Sequence, residues 1–132
     1  MKATTSNMNI ISFFEIQSSE PQREVAFYSR VFGWKFELDK GLPFEYYHIR
    51  TQGIEGALLE RPVDVPAQEQ GTNAFTNLIL VGDYDETHNI IMGNGGTIAL
   101  PKFAVSGQRW QGYYLDPDNN VFGIFEIDEN AA

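Results

Sequence analysis

The 132-residue chain has no cysteine. That absence excludes disulfide staples, thiolate catalysis and zinc–thiolate sites. Long apolar runs are missing as well. The first residues, MKATTSNMNIISFF, lack the roughly 7–15-residue apolar core of a secretory signal. No segment approaches the roughly 20 apolar residues that span a bilayer. A cytoplasmic location is the default expectation. Basic residues are scarce: nine Lys and Arg stand against 18 Asp and Glu, a net charge of −9. A nucleic-acid partner would need a basic face, so none is expected, and an anionic membrane surface is no better a match. The excess acid reads as solubility. No phosphate-cradling glycine loop, nucleophile elbow or Cys/His triad is present.

Aromatics, by contrast, are plentiful: ten Phe, six Tyr and two Trp within a hydrophobic fraction of 42%. This is enough for one compact domain, or for two small modules sharing a core. Ile10 to Gln17 alternates as a strand, with Ile11, Phe13, Glu15 and Gln17 on one face and Phe14 and Ile16 on the other. Ser19-Glu20-Pro21-Gln22 opens a helix with a capping-box pattern. Val25, Tyr28, Val31 and Phe32 form its apolar stripe, and Gly33 ends it. Strands follow at 34–38, 44–51 and 56–61. A polar, proline-bearing linker over 63–73 separates a module at about 9–62 from one at about 74–128. In the second module a strand covers 76–81. Asp83 and Glu86 then cap a helix of about ten residues ending at Gly95-Gly96. Strands are expected at 97–100, 110–115 and 121–127. The Asp83–Glu86 acids lack the spaced oxygens and glycine of a calcium loop, so capping explains them.

Both halves therefore read βαβββ. An offset of 63 residues carries Ile16 to Ile79, Glu20 to Asp83 and Gly33 to Gly96. The agreement is one of position, not of residue identity, and two unrelated short α+β segments are the alternative explanation.

The helix signature Ala26-Phe27-Tyr28 with Val31-Phe32-Gly33-Trp34, the later Gly95-Gly96, and the turn Asp116-Pro117-Asp118-Asn119-Asn120 together resemble the vicinal oxygen chelate superfamily. This group includes glyoxalase I, bleomycin-resistance proteins and extradiol dioxygenases. The turn is similar to the family's DPDGN, with Asn119 in the glycine slot, and asparagine tolerates positive φ. The resemblance spans about residues 9–128. It implies an α+β fold in which two βαβββ modules form an incomplete barrel around a cavity, with the helices outside. It also implies a homodimer. In family enzymes the cavity holds one divalent metal that acts as a Lewis acid.

Aligning the motifs puts the four metal positions on Phe13, Glu60, Thr76 and Gly123. Only Glu60 is a good ligand, and a divalent ion needs about three carboxylate or imidazole donors. No metal cofactor is therefore expected. What remains is a cavity made more apolar by Phe13, suited to a small, partly apolar ligand. Glu60 and His48 are the candidate general acids or bases. Tyr46, His48 and Arg50 share one strand face, with Arg50 as an anion anchor if that face lines the cavity; an exposed edge face is the other reading. Glu15 shares the face of Phe13. Trp110 follows a loop at 102–109 that can act as a lid, also carrying Phe103, although core packing is the favoured role for a strand aromatic of this kind. His88 is placed on an exposed helix face. Asp116, Asp118 and Glu126 receive no catalytic role. Two functions stay open: a ligand-binding or sequestering protein, and a lyase, isomerase or dioxygenase-type enzyme related to lactoylglutathione lyase.

Overall fold

The computed structural model describes residues 11–65 and 76–132. The first strand, β1 (Phe13–Ser18), leads into α1 (Pro21–Phe32) and then β2 (Lys35–Leu38), β3 (Tyr46–Arg50) and β4 (Glu55–Glu60). The second half repeats the order with β5 (Leu78–Leu80), α2 (Tyr84–Gly93), β6 (Thr97–Val105), β7 (Arg109–Leu115) and β8 (Val121–Ile127). Each half makes one four-stranded sheet, β1-β4-β3-β2 and β5-β8-β7-β6. In both, the first strand runs parallel to the last and the remaining pairs are antiparallel. The two sheets do not close on each other, so the expected α+β fold is an incomplete barrel of two similar modules. Ile10, Phe75 and most of the 63–73 linker lie outside the described residues. Among the described residues no helix is long and apolar enough to cross a membrane.

Local chemistry explains the elements. Pro21 stands in the first turn of α1, where a missing N–H costs nothing. Gly33 takes the left-handed conformation at φ 72° and its N–H bonds back to the Ser29 carbonyl. The expected Ser19 cap is not formed. Glu20 occupies the cap position without a side-chain bond, because the Ser19 hydroxyl is drawn to Asp118. In α2 the expected cap does form: Asp83 accepts from the Glu86 N–H. β6 is longer than its pattern suggested. It runs to Val105 and pairs with β7 through two register shifts, so residues 102–109 are a hairpin end, not a lid.

The core joins the modules. Ile16, Phe27, Tyr28, Ile49 and Leu58 from the first meet Tyr84, Ile91, Tyr114, Phe122 and Ile124 from the second in one buried cluster. Tyr28 lies parallel to Trp34 with centroids 5.4 Å apart, and Phe122 meets both Phe27 and Tyr28 edge-on. This cluster occupies the helix side of each sheet. The opposite, helix-free faces are left to carry a site.

Candidate functional site

On the helix-free face of the first sheet, register places Glu15, Ala57, His48 and Glu37 in one row. Leu59 and Tyr46 stand beside it on one side, and Arg50 and Lys35 on the other. Tyr46, His48 and Arg50 thus share this face as expected, since the intervening Ile49 is fully buried beneath. Tyr46 and His48 meet ring to ring at 5.2 Å. His48 Nε2 lies 2.9 Å from Asp39 Oδ2, and the Gly41 N–H donates to Asp39 Oδ1. That N–H, and then His48, hold the Asp39 carboxyl below its usual range. Arg50 forms exposed ion pairs with Glu37 and Glu55.

The second sheet's helix-free face has a different character. Leu78, Gly123 and Tyr113 form one row, and Leu80, Phe125 and Gln111 the next, with Leu100 and Phe103 continuing these rows onto β6. Phe103 stacks on Tyr113, and the Arg109 guanidinium lies 5.9 Å from the Phe125 ring. A side chain at 123 would meet Leu78 and the Tyr113 ring at 3.1 Å, so glycine keeps this row flat. Leu80 is 59% exposed and Leu100 49%. One face is polar with an ionic rim, and the other apolar and aromatic.

Two of the candidate residues lie elsewhere. Glu60 pairs with Ser18 across β1 and β4, which puts it on the helix side with Leu58. It lines a shallow cleft at the start of α1 with Ser19, Arg23 and Glu45. The reason is a drift in the internal repeat. Ile16 and Ile79 are 63 residues apart, but their partners Leu58 and Ile124 are 66 apart. The counterpart of Gly123 is therefore Ala57, and the counterpart of Glu60 is Glu126, whose carboxylate accepts from the Tyr84 N–H at the start of α2. Trp110 is likewise on the helix side, paired with Glu126 and covered by Lys102 Nζ at 4.6 Å, with its indole N–H donated to Asp128.

The four family metal positions consequently read Phe13, Ala57, Thr76 and Gly123. Phe13 is 49% exposed on β1, and Thr76 stands two residues ahead of β5. None of the four carries a carboxylate or imidazole, and among the described residues no group of three or more His, Asp or Glu is arranged to hold an ion. The donor set does not fit the metal that the fold implies. Two carboxylates share this face: Glu55 is the register partner of Phe13, and Glu15 that of Ala57.

A buried polar cluster at the module junction escaped the sequence reading. The Asp116–Asn120 turn seats on the start of α1. Asp118 accepts from the Ser19 hydroxyl at 2.6 Å, from Arg23 at 2.6 Å and from Arg61 at 2.8 Å. Burial pushes its carboxyl up, but these donors outweigh burial and leave it below the usual range. Asp116 accepts from Tyr28 at 2.8 Å, and Asn120 bonds to the Gln17 carbonyl, Asp116 and Arg61. The fully buried Glu24 accepts from Ser18 and from Arg23. Its burial was hidden because a carboxylate in the first turn of a helix ordinarily reads as an exposed partner of the helix dipole.

The glyoxalase/bleomycin resistance protein/dioxygenase superfamily model matches residues 10–124. The chain belongs to this superfamily. No curated protein matches the sequence. Among solved structures, a glyoxalase/bleomycin resistance/dioxygenase family enzyme from Burkholderia phytofirmans is similar, with 19% identity, 89% of this chain and 98% of that one covered, and a TM-score of 0.69. The fosfomycin resistance protein FosX from Listeria monocytogenes gives 17% identity, coverage of 89% and 90%, and a TM-score of 0.71. TioX from Micromonospora sp. gives 18%, coverage of 88% and 97%, and 0.64. At these identities the likeness is one of fold. Within the superfamily's fold, this chain sets His48, paired with Asp39 just past β2, on one sheet and an apolar face on the other.

Proposed function

We propose that this glyoxalase-superfamily domain binds a small, partly apolar molecule against its helix-free sheet faces, without a metal, and that a second copy of the chain completes the cavity. The observation that carries this reading is the contrast between the two faces. Leu78, Leu80, Leu100 and Phe103 offer an apolar wall, while Tyr46, His48 and Arg50 offer hydrogen-bond donors. A flat ligand with a polar end suits that pair of walls. The donor set at Phe13, Ala57, Thr76 and Gly123 supports the absence of a metal. The second copy is argued from the exposure of Phe13, Leu80 and Leu100 on sheet faces that no other described residue of one chain covers. A fosfomycin resistance protein among the structural neighbours shows that this fold occurs in drug-resistance proteins, which supports a drug-like guest.

The test is native mass spectrometry of the purified protein, compared with the denatured mass. The expected species is a metal-free dimer, with any retained organic mass released on denaturation. One zinc, nickel, manganese or iron per chain would overturn the metal-free reading.

One observation favours a second reading, an enzyme of the lyase or isomerase type. His48 Nε2 lies 2.9 Å from Asp39 Oδ2, a carboxylate–imidazole pair that can orient the ring for proton transfer. If that is the function, His48→Ala abolishes turnover with the fold intact. Unchanged turnover would remove it.

A further inference from the structure

The buried cluster at the module junction holds more negative charge than it can neutralise. Glu24 is fully buried, and its carboxyl accepts from the Ser18 hydroxyl and from Arg23. The groups facing it come from every element around it. From α1 these are Glu20, Arg23 and Tyr28; from the end of β1, Ser18 and Ser19; from the residue after β4, Arg61; and from the β7–β8 turn, Asp116, Asp118 and Asn120. Glu45 and Glu60 line the adjoining cleft. Arg61 is committed to Asp118 and Asn120. Arg23, which is partly exposed, is shared among Glu20, Glu24 and Asp118. With Glu24 ionised, three buried carboxylates face two guanidiniums, one of them divided three ways. Tyr28 and Asn120 of this cluster also line a cavity of about 220 Å³ between β1 and β5. The state of the cluster therefore bears on how the two sheets sit against each other.

We propose that Glu24 is a proton-operated latch of the module junction: protonated, it lets the Asp116–Asn120 turn seat firmly on the start of α1, and ionised, it loosens that seat. The direction follows from the cost of a charge out of water. Burial is the largest influence on Glu24 and lifts its carboxyl to about 7, against the opposing bond from Arg23 and with help from Asp116. Because the folded value lies above the unfolded one, the folded chain holds the proton more tightly between them. Stability is full below the unfolded value and is lost as pH rises through the folded one. The latch does not depend on what the cavity binds.

The experiment measures urea unfolding at pH 6 and pH 8 for the wild-type chain and for Glu24→Gln, an uncharged isostere. The wild-type unfolding constant is expected to rise about tenfold over this range, and that of Glu24→Gln to lack this rise. An equal rise in both would overturn the proposal. Should Glu24→Gln fail to fold, the carbon-13 carboxyl resonance of Glu24 in the wild-type chain decides: a midpoint near neutral supports the latch, and one below about pH 5 overturns it. Amide hydrogen exchange, corrected for its intrinsic pH dependence, locates the effect. Protection of the Ser19, Asp118 and Asn120 amides is expected to fall above pH 7 before that of α2. A uniform fall across the chain would overturn the assignment to the junction.

Discussion

Arg61 and Arg50 are both paired with carboxylates, but their surroundings give the pairs different worth. The Arg61 side chain is 7% exposed and bonds to Asp118, which is itself buried. Removing one partner of such a pair leaves an uncompensated charge, which costs about 3–5 kcal/mol. Arg61→Met is expected to lose stability on that scale in urea unfolding. Arg50→Met, which breaks two exposed pairs, is expected to cost less than about 1 kcal/mol. Equal losses would show that Asp118 is held by Ser19 and Arg23 alone. Gly112 poses a steric case. A Cβ there would lie 1.9 Å from the Tyr84 hydroxyl, which is fixed by a 3.0 Å bond from Tyr114. Gly112→Ala is therefore expected to destabilise by about 1–3 kcal/mol through overpacking, read as a lower urea midpoint at unchanged slope. None of these environments was legible in the sequence. Asp116, Asp118, Glu24 and Arg61 are surface-type residues by composition, and only the tertiary approach of the β7–β8 turn to α1 buries them.

At the scale of elements, most of the fold was legible. The period-two pattern in FFEIQS and the apolar stripe ending at Gly33 specify β1 and α1 because burial selects one strand face and one helix stripe. The Gly33 stop is open to test. Its φ of 72° suits glycine, and nothing crowds its Cβ position, so Gly33→Ala is expected to cost about 1 kcal/mol from backbone strain alone. Thermal unfolding at constant pH checks this, and an unshifted midpoint would mean that the helix end relaxes. The site was less legible, because the internal repeat drifts. The 63-residue spacing holds through the first strand and the helix, then widens to 66 at the last strand of each module. Extrapolating the shorter spacing put Glu60 opposite Gly123. One residue of slip reverses a strand's faces, and three do the same, so Glu60 moved from the cavity to the helix side. Alternation placed the β3 residues correctly because Ile49 marks the buried face unambiguously. Asp39 was missed as the partner of His48 because it stands past the end of β2, where no alternation applies.

For the molecule as a whole, the decisive feature is that each sheet buries one face against its helix and leaves the other open. Leu80 and Leu100 lie on the two edge strands, β5 and β6, of the second sheet's open face, each about half exposed in the single chain. Burying such a side chain is worth about 1.5–3 kcal/mol, so a second copy that covers both would gain much of its stability from them. The chain itself would lose little from their replacement, since neither belongs to the buried cluster. Changing both to lysine in one variant is therefore expected to leave the unfolding midpoint of a dilute sample nearly unchanged while splitting the dimer. Size-exclusion chromatography with light scattering would read about twice the 14.9 kDa of one chain for the wild type and a single-chain mass for the variant. The same variant is expected to lose any organic mass that the wild type retains, because the apolar wall and the second copy go together. A wild-type chain that elutes as a monomer would overturn the shared cavity. It would leave the open faces of one chain to bind the ligand alone, with the Tyr46–His48–Arg50 face as its polar side.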